Sequence, residues 1–138
     1  MPPITSSSKP SVSSPPLVSI VTIVRNGEKT LERTIQSVLD QTYSNIEYLV
    51  LDGGSTDGTL DIIKQYEKHF AFWKSGLDGG ISAAMNMGIQ HCKGELIGLI
   101  HADDWYERDT VEAAVRAWQV NLESVICGHC QYWRGDQR

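Results

Sequence analysis

Several things are scarce in this chain. Cysteine occurs three times, an odd number that argues against a disulfide framework and fits a reducing compartment. No stretch approaches the roughly 18 consecutive apolar residues of a membrane span. Positive charge is in the minority, with 12 Lys+Arg against 17 Asp+Glu and a net charge of -5. Nucleic-acid binders carry a basic face, so that class is disfavoured. No GxGxxG follows the first apolar stretch, and neither GxxxxGK[ST] nor GxSxG occurs. These absences set aside a dinucleotide-binding Rossmann site, a P-loop and a nucleophile elbow. No internal repeat is visible.

Proline is absent after residue 16. All five prolines fall within Met1–Pro16, with six serines and one charge, Lys9. Such a segment has almost nothing apolar to bury, so residues 1–16 are expected to be a disordered Ser/Pro-rich tail. It lacks the apolar core of a secretory signal and the arginines of a transit peptide. The remainder, 17–138, has the size of one domain, and 41% hydrophobic with 21% charged residues is an ordinary globular balance.

Within that domain, strand-like and helix-like stretches alternate. Leu17–Val24 is β-branched and apolar enough for a strand covered on both faces. Leu31, Ile35, Val38 and Leu39 form one helical stripe. Ile46–Leu51 predicts a second strand, and Asp57 is placed to cap a helix carrying Ile62, Ile63, Tyr66 and Phe70. Residues 71–74 make a short, weak strand. A glycine-rich loop at 76–80 leads into a helix over 82–91. Glu95–Ile100 predicts another buried strand, followed by a helix over about 107–121 and a last strand over 124–133. This alternation predicts an α/β fold, a mostly parallel sheet wound by crossover helices.

Ligands bind such sheets beyond the carboxyl ends of the strands. Arg25-Asn26, Asp52 and Asp103-Asp104 all follow predicted strand ends and should share one rim. Adjacent carboxylates are costly without a positive partner, and carboxylate oxygen suits Mg²⁺ or Mn²⁺ when phosphate completes the shell. The plainer reading of the acidic pair is a helix cap. Asp52 could accept hydrogen bonds from a nucleobase or ribose, with Gly53 and Gly54 allowing close approach; Ser55–Gly58 need be no more than a turn and a cap. Asp78-Gly79-Gly80, before the helix that carries Asn86, could form a lip over a ligand, although a glycine turn before a helix is commoner. Trp105 could line the site. Cys127-Gly128-His129-Cys130 has CxxC spacing, but strand residues three apart point to opposite faces, so a shared metal there is not expected.

In order, VSIVTIVRNGEKTLERTIQSVLDQTY, IEYLVLDGGSTDGTLDII, DGGISAAMNMGI and GELIGLIHADDWY closely resemble the nucleotide-sugar half of family 2 glycosyltransferases with the GT-A fold, from Leu17 to about Val115. The resemblance implies inverting transfer of a sugar from a nucleoside-diphosphate donor to an acceptor hydroxyl, in polysaccharide, lipopolysaccharide or glycoprotein synthesis. It implies donor contacts at Arg25, Asn26, Asp52, Asp78, Asn86 and Asp103. It maps the family's DXD-type metal motif onto Asp103 and Asp104, with Asp104 the first choice as ligand to Mg²⁺ or Mn²⁺. Two departures stand out: Gly53 replaces a second acid common after the second strand, and Ala83 replaces an acid often found before the Ala-Met-Asn run. The family's base and acceptor half lie further on. His101 and His129 are imidazoles that nothing singles out as a base. The chain is thus expected to be a donor-binding half, either part of a transferase or an inactive donor-binding remnant. It is expected to be cytoplasmic, with a peripheral place at a membrane, and to bind no nucleic acid.

Overall fold

The computed structural model describes residues 15–76 and 80–121. Three sequence expectations lie outside those residues: the tail through residue 14, the last strand with its CxxC, and Asp78.

Among the described residues four strands form one parallel sheet: β1 (Val18–Val24), β2 (Ile46–Asp52), β3 (Phe72–Lys74) and β4 (Leu96–His101), in the order β3-β2-β1-β4. The helices are α1 (Leu31–Leu39), α2 (Thr59–Gln65), α3 (Gly80–His91) and α4 (Thr110–Val120), with a 3₁₀ turn at Glu67–His69. All four strands with elements in this order were legible in the sequence, and most helix ends fall within three residues of expectation. The helix from Asp57 is the larger departure. It stops at Gln65; Tyr66 sits between it and the 3₁₀ turn, and Phe70 comes just after that turn.

The strand order dictates where the helices lie. From β1 to β3 the chain steps in one direction across the sheet; to reach β4 it turns back past β2 and β1. Right-handed crossovers then require the helix before β4 to cover the opposite face from the first two. Leu31, Ile35 and Val38 of α1, Ile63 of α2, and Val111 and Val115 of α4 pack with Ile20, Val24, Tyr48, Val50 and Ile100 on one face. Ala84 of α3 packs on Val21, Leu49 and Leu51 on the other. Gly88 of α3 lies so close to β1 that an added Cβ would come within 2.7 Å of Val21.

β1 and β2 are buried almost throughout, as their apolar runs required. β4 corrects the expectation of a buried strand. Its burial alternates, and Ile97 and Leu99 are each 44% exposed. Among the described residues β4 is an edge strand. α3 crosses β1 and β2, so the β4 face on that side lies beyond the helix's cover. Among the described residues no helix is long and apolar enough to cross a membrane. The carbonyls of Pro15 and Pro16, the residues before β1, accept hydrogen bonds from Asn45 Nδ2 and the Tyr43 hydroxyl.

Candidate functional site

The strand register sets the rim. Val24 stands beside Asp52, and Ile23 beside His101. Arg25-Asn26, Asp52-Gly53 and Ala102–Asp104 therefore emerge together at the carboxyl edge. β1 and β4 are neighbours at which the strand order reverses, the place where such sheets take ligands.

Asp52 is fully buried. Its Oδ2 accepts from the backbone N–H of Gly54 (3.1 Å) and Ser55 (3.0 Å) and from the Ser75 hydroxyl (2.8 Å), and its Oδ1 accepts from the Ser55 hydroxyl. The carboxylate thus builds the loop that follows it, an occupation that its position in the sequence did not disclose. Gly54 has φ +91°, a conformation that glycine adopts without a steric penalty. Gly53 is different: a Cβ there would meet the Arg25 side chain only at ordinary contact distances of 3.7–3.8 Å. Space does not forbid an acid at this position.

Asn26 sits at φ +52°, a left-handed conformation for which asparagine is enriched. Its Oδ1 accepts from Thr56 N–H (2.8 Å), and its own N–H donates to Ser55 Oγ (2.8 Å). Gly27 N–H donates to Thr59 Oγ1, Glu28 N–H to Asp57 Oδ2, and Gly58 N–H to Glu28 Oε1. The loops after β1 and β2 are therefore zipped into one unit. Ser55 to Gly58, with Thr59 beside them, do more than the turn and cap expected of Ser55–Gly58. Asp57 Oδ1 also takes the Thr59 N–H and hydroxyl, so it caps α2 from just outside the helix. The Thr59 hydroxyl bond leads the interactions that hold the Asp57 carboxyl below its ordinary pKa. Arg25 is exposed above this unit.

Asp103 and Asp104 are both exposed, on a turn closed by Asp104 N–H to the His101 carbonyl (3.1 Å). Neither caps a helix. α4 begins with Asp109 at its N-cap, so the plainer reading of the pair fails. Buried Thr34 of α1 sends its hydroxyl toward the carbonyls of Asp104 (2.6 Å) and Ala102 (2.9 Å). Trp105 stacks under the Arg33 guanidinium, 4.3 Å from the ring centroid. Tyr106 folds back beneath β4 and donates its hydroxyl to the Leu99 carbonyl (3.1 Å). Burial, and then the charge of Asp104, push its pKa up to about 12.

Asn86 lies elsewhere. It is two residues from Ala84 and from Gly88, both of which face the sheet, so helical spacing turns it outward, and it is exposed. The structure thus gathers Arg25, Asn26, Asp52, Asp103 and Asp104 at the rim and leaves Asn86 on the solvent side of α3. Sequence reasoning passed over Thr34 and Ser75. A signal existed for Thr34: it falls inside the apolar stripe of α1, where a buried hydroxyl must find a partner.

Among the described residues no three His, Cys, Asp or Glu side chains are grouped to hold a metal ion. The two exposed aspartates offer hard oxygen ligands on a fixed turn, a partial donor set of the kind that Mg²⁺ or Mn²⁺ completes with phosphate oxygens and water.

The family model for glycosyl transferase family 2 matches residues 19–138. An uncharacterized glycosyltransferase of Mycobacterium tuberculosis is 42% identical over 108 residues, 77% of this chain and 41% of that protein. Chondroitin synthase of Escherichia coli is 36% identical over 114 residues, 81% of this chain and 16% of that protein. The mannosyltransferase PcManGT of Pyrobaculum calidifontis, solved with GDP-Man and Mn²⁺, is similar with a TM-score of 0.69 and 25% identity, over 81% of this chain and 36% of that one. TarS of S. aureus, solved with UDP, gives a TM-score of 0.70 at 22% identity, over 77% of this chain and 33% of that one, a likeness in fold. The chain spans about two fifths or less of the length of each of these proteins. The sheet is of the GT-A class. Fold and sequence agree over most of the described residues, and the chain belongs to glycosyl transferase family 2.

Proposed function

We propose that the chain is the donor-binding part of a glycosyltransferase that takes a nucleoside-diphosphate sugar at the carboxyl rim and transfers the sugar, with inversion, to an acceptor hydroxyl. The observation that carries this reading is the exposed, uncapped pair Asp103-Asp104, fixed on the same rim as Asp52 and Arg25. PcManGT, solved with GDP-Man and Mn²⁺, supports the donor class and the ion.

In this reading Asp104, with Asp103, holds Mg²⁺ or Mn²⁺. When bound, the ion acts as a Lewis acid that offsets the charge growing on the departing diphosphate. Asp103 is assigned a donor contact as well. Arg25, exposed at the end of β1, gives the rim a fixed positive charge for a polyanion in a net acidic chain. Asp52 accepts from the nucleobase or ribose once a hydroxyl donor, from Ser75 or Ser55, gives way; its two backbone bonds hold the carboxylate in place. Asn26 serves through the loop it zips to Thr56. Asp78 is assigned to the donor's sugar side, whereas Asn86, on the solvent side of α3, is given no donor contact.

Calorimetry with UDP and with GDP tests this. Binding is expected with MnCl₂ and not with EDTA, and Asp104→Ala is expected to abolish it while the circular dichroism spectrum is kept. Absence of binding by the wild-type chain to either nucleotide with Mn²⁺, or full binding by D104A, would refute the reading.

A further inference from the structure

The eight residues from Ala102 that carry the acidic pair into α4 have little secondary structure of their own. Between Ala102 and Val111 the chain makes turns until α4 begins at Thr110. Backbone groups there must find partners elsewhere, and many find them on α1 and the residues just after it. Thr34 Oγ1 reaches the carbonyls of Ala102 (2.9 Å) and Asp104 (2.6 Å). Ser37 Oγ accepts the Tyr106 N–H (3.1 Å) while donating to Thr34 O (2.7 Å). Gln41 uses both ends of its amide: Nε2 donates to Glu107 O (2.6 Å), and Oε1 accepts the Val111 N–H (2.9 Å). Thr42 N–H donates to Arg108 O (2.9 Å).

Residues 34 and 37 are spaced i and i+3 on one side of α1, and Gln41 follows two residues past its end. Together the three grip five main-chain groups, at 102, 104, 106, 107 and 111. The N-cap residue of α4, Asp109, makes no side-chain cap bond; Gln41 supplies an acceptor to the first turn instead.

We infer that Thr34, Ser37 and Gln41 are positioning residues for Asp103 and Asp104. They fix the backbone on both sides of the pair and so set where the two carboxylates stand toward a divalent cation and its diphosphate. This rests on the donor-binding reading given above. Carboxylates that hold a metal gain affinity when they need no reordering on binding, and loss of such supporting bonds costs about 10- to 100-fold in metal affinity.

The test compares Thr34→Val, Thr34→Ser, Ser37→Ala and Gln41→Ala with a matched control, Thr22→Val. Thr22 is an equally buried threonine whose hydroxyl pairs with Tyr48 at 2.8 Å on β1, in the core. Two quantities are read on the 138-residue chain: affinity for UDP or GDP with MnCl₂, and amide exchange of Asp104, Tyr106 and Val111. T34V and Q41A are expected to lose about tenfold or more in Mn²⁺–nucleotide affinity. T34S is expected to restore it, and T22V to keep it at a comparable loss of stability. Exchange at the three loop amides is expected to quicken in T34V, S37A and Q41A, while β1 and β2 stay protected. Wild-type affinity in T34V and Q41A, or an equal loss in T22V, overturns the inference. Should the wild-type chain bind neither nucleotide, the donor-binding reading falls by itself. Unchanged loop exchange in the variants overturns the positioning claim whether or not nucleotide binds. If T34V does not fold, S37A and Q41A, at half-buried positions, decide the outcome.

Discussion

At the scale of single residues, the rim shows that one carboxylate can serve structure before it serves a ligand. Asp52 has no exposed surface and holds three different residues, Gly54, Ser55 and Ser75. Its two conservative truncations should therefore part company. In Asp52→Asn, the amide oxygen can keep the Gly54, Ser55 and Ser75 donors, and the amide nitrogen can donate to Ser55 Oγ, which accepts the Asn26 N–H and has a second lone pair. In Asp52→Ala those donors lose their acceptor, and buried donors left unmade cost about 1–3 kcal/mol. Urea titration should find D52A less stable than D52N by about that amount. Equal stability would mean that the loop does not depend on the carboxylate.

At the scale of elements, close approach of α3 to the sheet depends on a missing side chain. Gly88 faces Val21 and Leu51, and a methyl group there would sit 2.7 Å from one and 3.1 Å from the other. Gly88→Ala raises helix propensity yet overfills this contact, and overpacking costs about 1–3 kcal/mol. Thermal melts should show G88A destabilised, whereas a helix limited by propensity alone would be stabilised. The same element shows what the sequence could tell. Apolar runs with short joins are enough for four parallel strands, because fully buried strands read as continuous hydrophobic stretches. The rim residues follow from that, since each strand end was marked by a polar or glycine turn. Exposure of β4 was not readable: ELIGLI has the composition of a buried strand, and only sheet order shows which strand lies at the edge. The grip of Thr34, Ser37 and Gln41 was hidden for another reason. It joins side chains to main-chain groups some 70 residues away, and main-chain groups carry no sequence signature. Asn86 was placed by resemblance, and helix phase alone would have turned it away from Ala84 and Gly88.

For the molecule as a whole, the core keeps phenols neutral. Tyr48 is buried between the sheet and Phe70, its ring edge-on to that ring at 5.3 Å, with its hydroxyl paired to Thr22. Burial raises its pKa well above the ordinary tyrosine value. Tyr106 is pushed up to about 12, by burial and then by the charge of Asp104. Tyr43 is raised by burial, and Tyr66 by its hydrogen bond to Glu32. In all four the folded chain holds the proton more tightly than the unfolded chain, whose tyrosines titrate near 10. Below pH 10 both states are protonated and the full contribution is present. Above it the unfolded chain sheds protons that the folded chain keeps, so stability falls as pH rises toward 12 and beyond. Tyr48 and Tyr106, the two most buried of them, each add a slope of up to about 1.4 kcal/mol per pH unit, and the solvent-screened Tyr43 and Tyr66 add less. Urea midpoints measured from pH 8 to 11.5 should be level with respect to these groups up to about 10 and then drop. Tyr48→Phe should lower stability at neutral pH, because Thr22 loses its partner, and should make the alkaline fall shallower. A fall as steep in Y48F as in the wild type would locate the alkaline sensitivity outside the core.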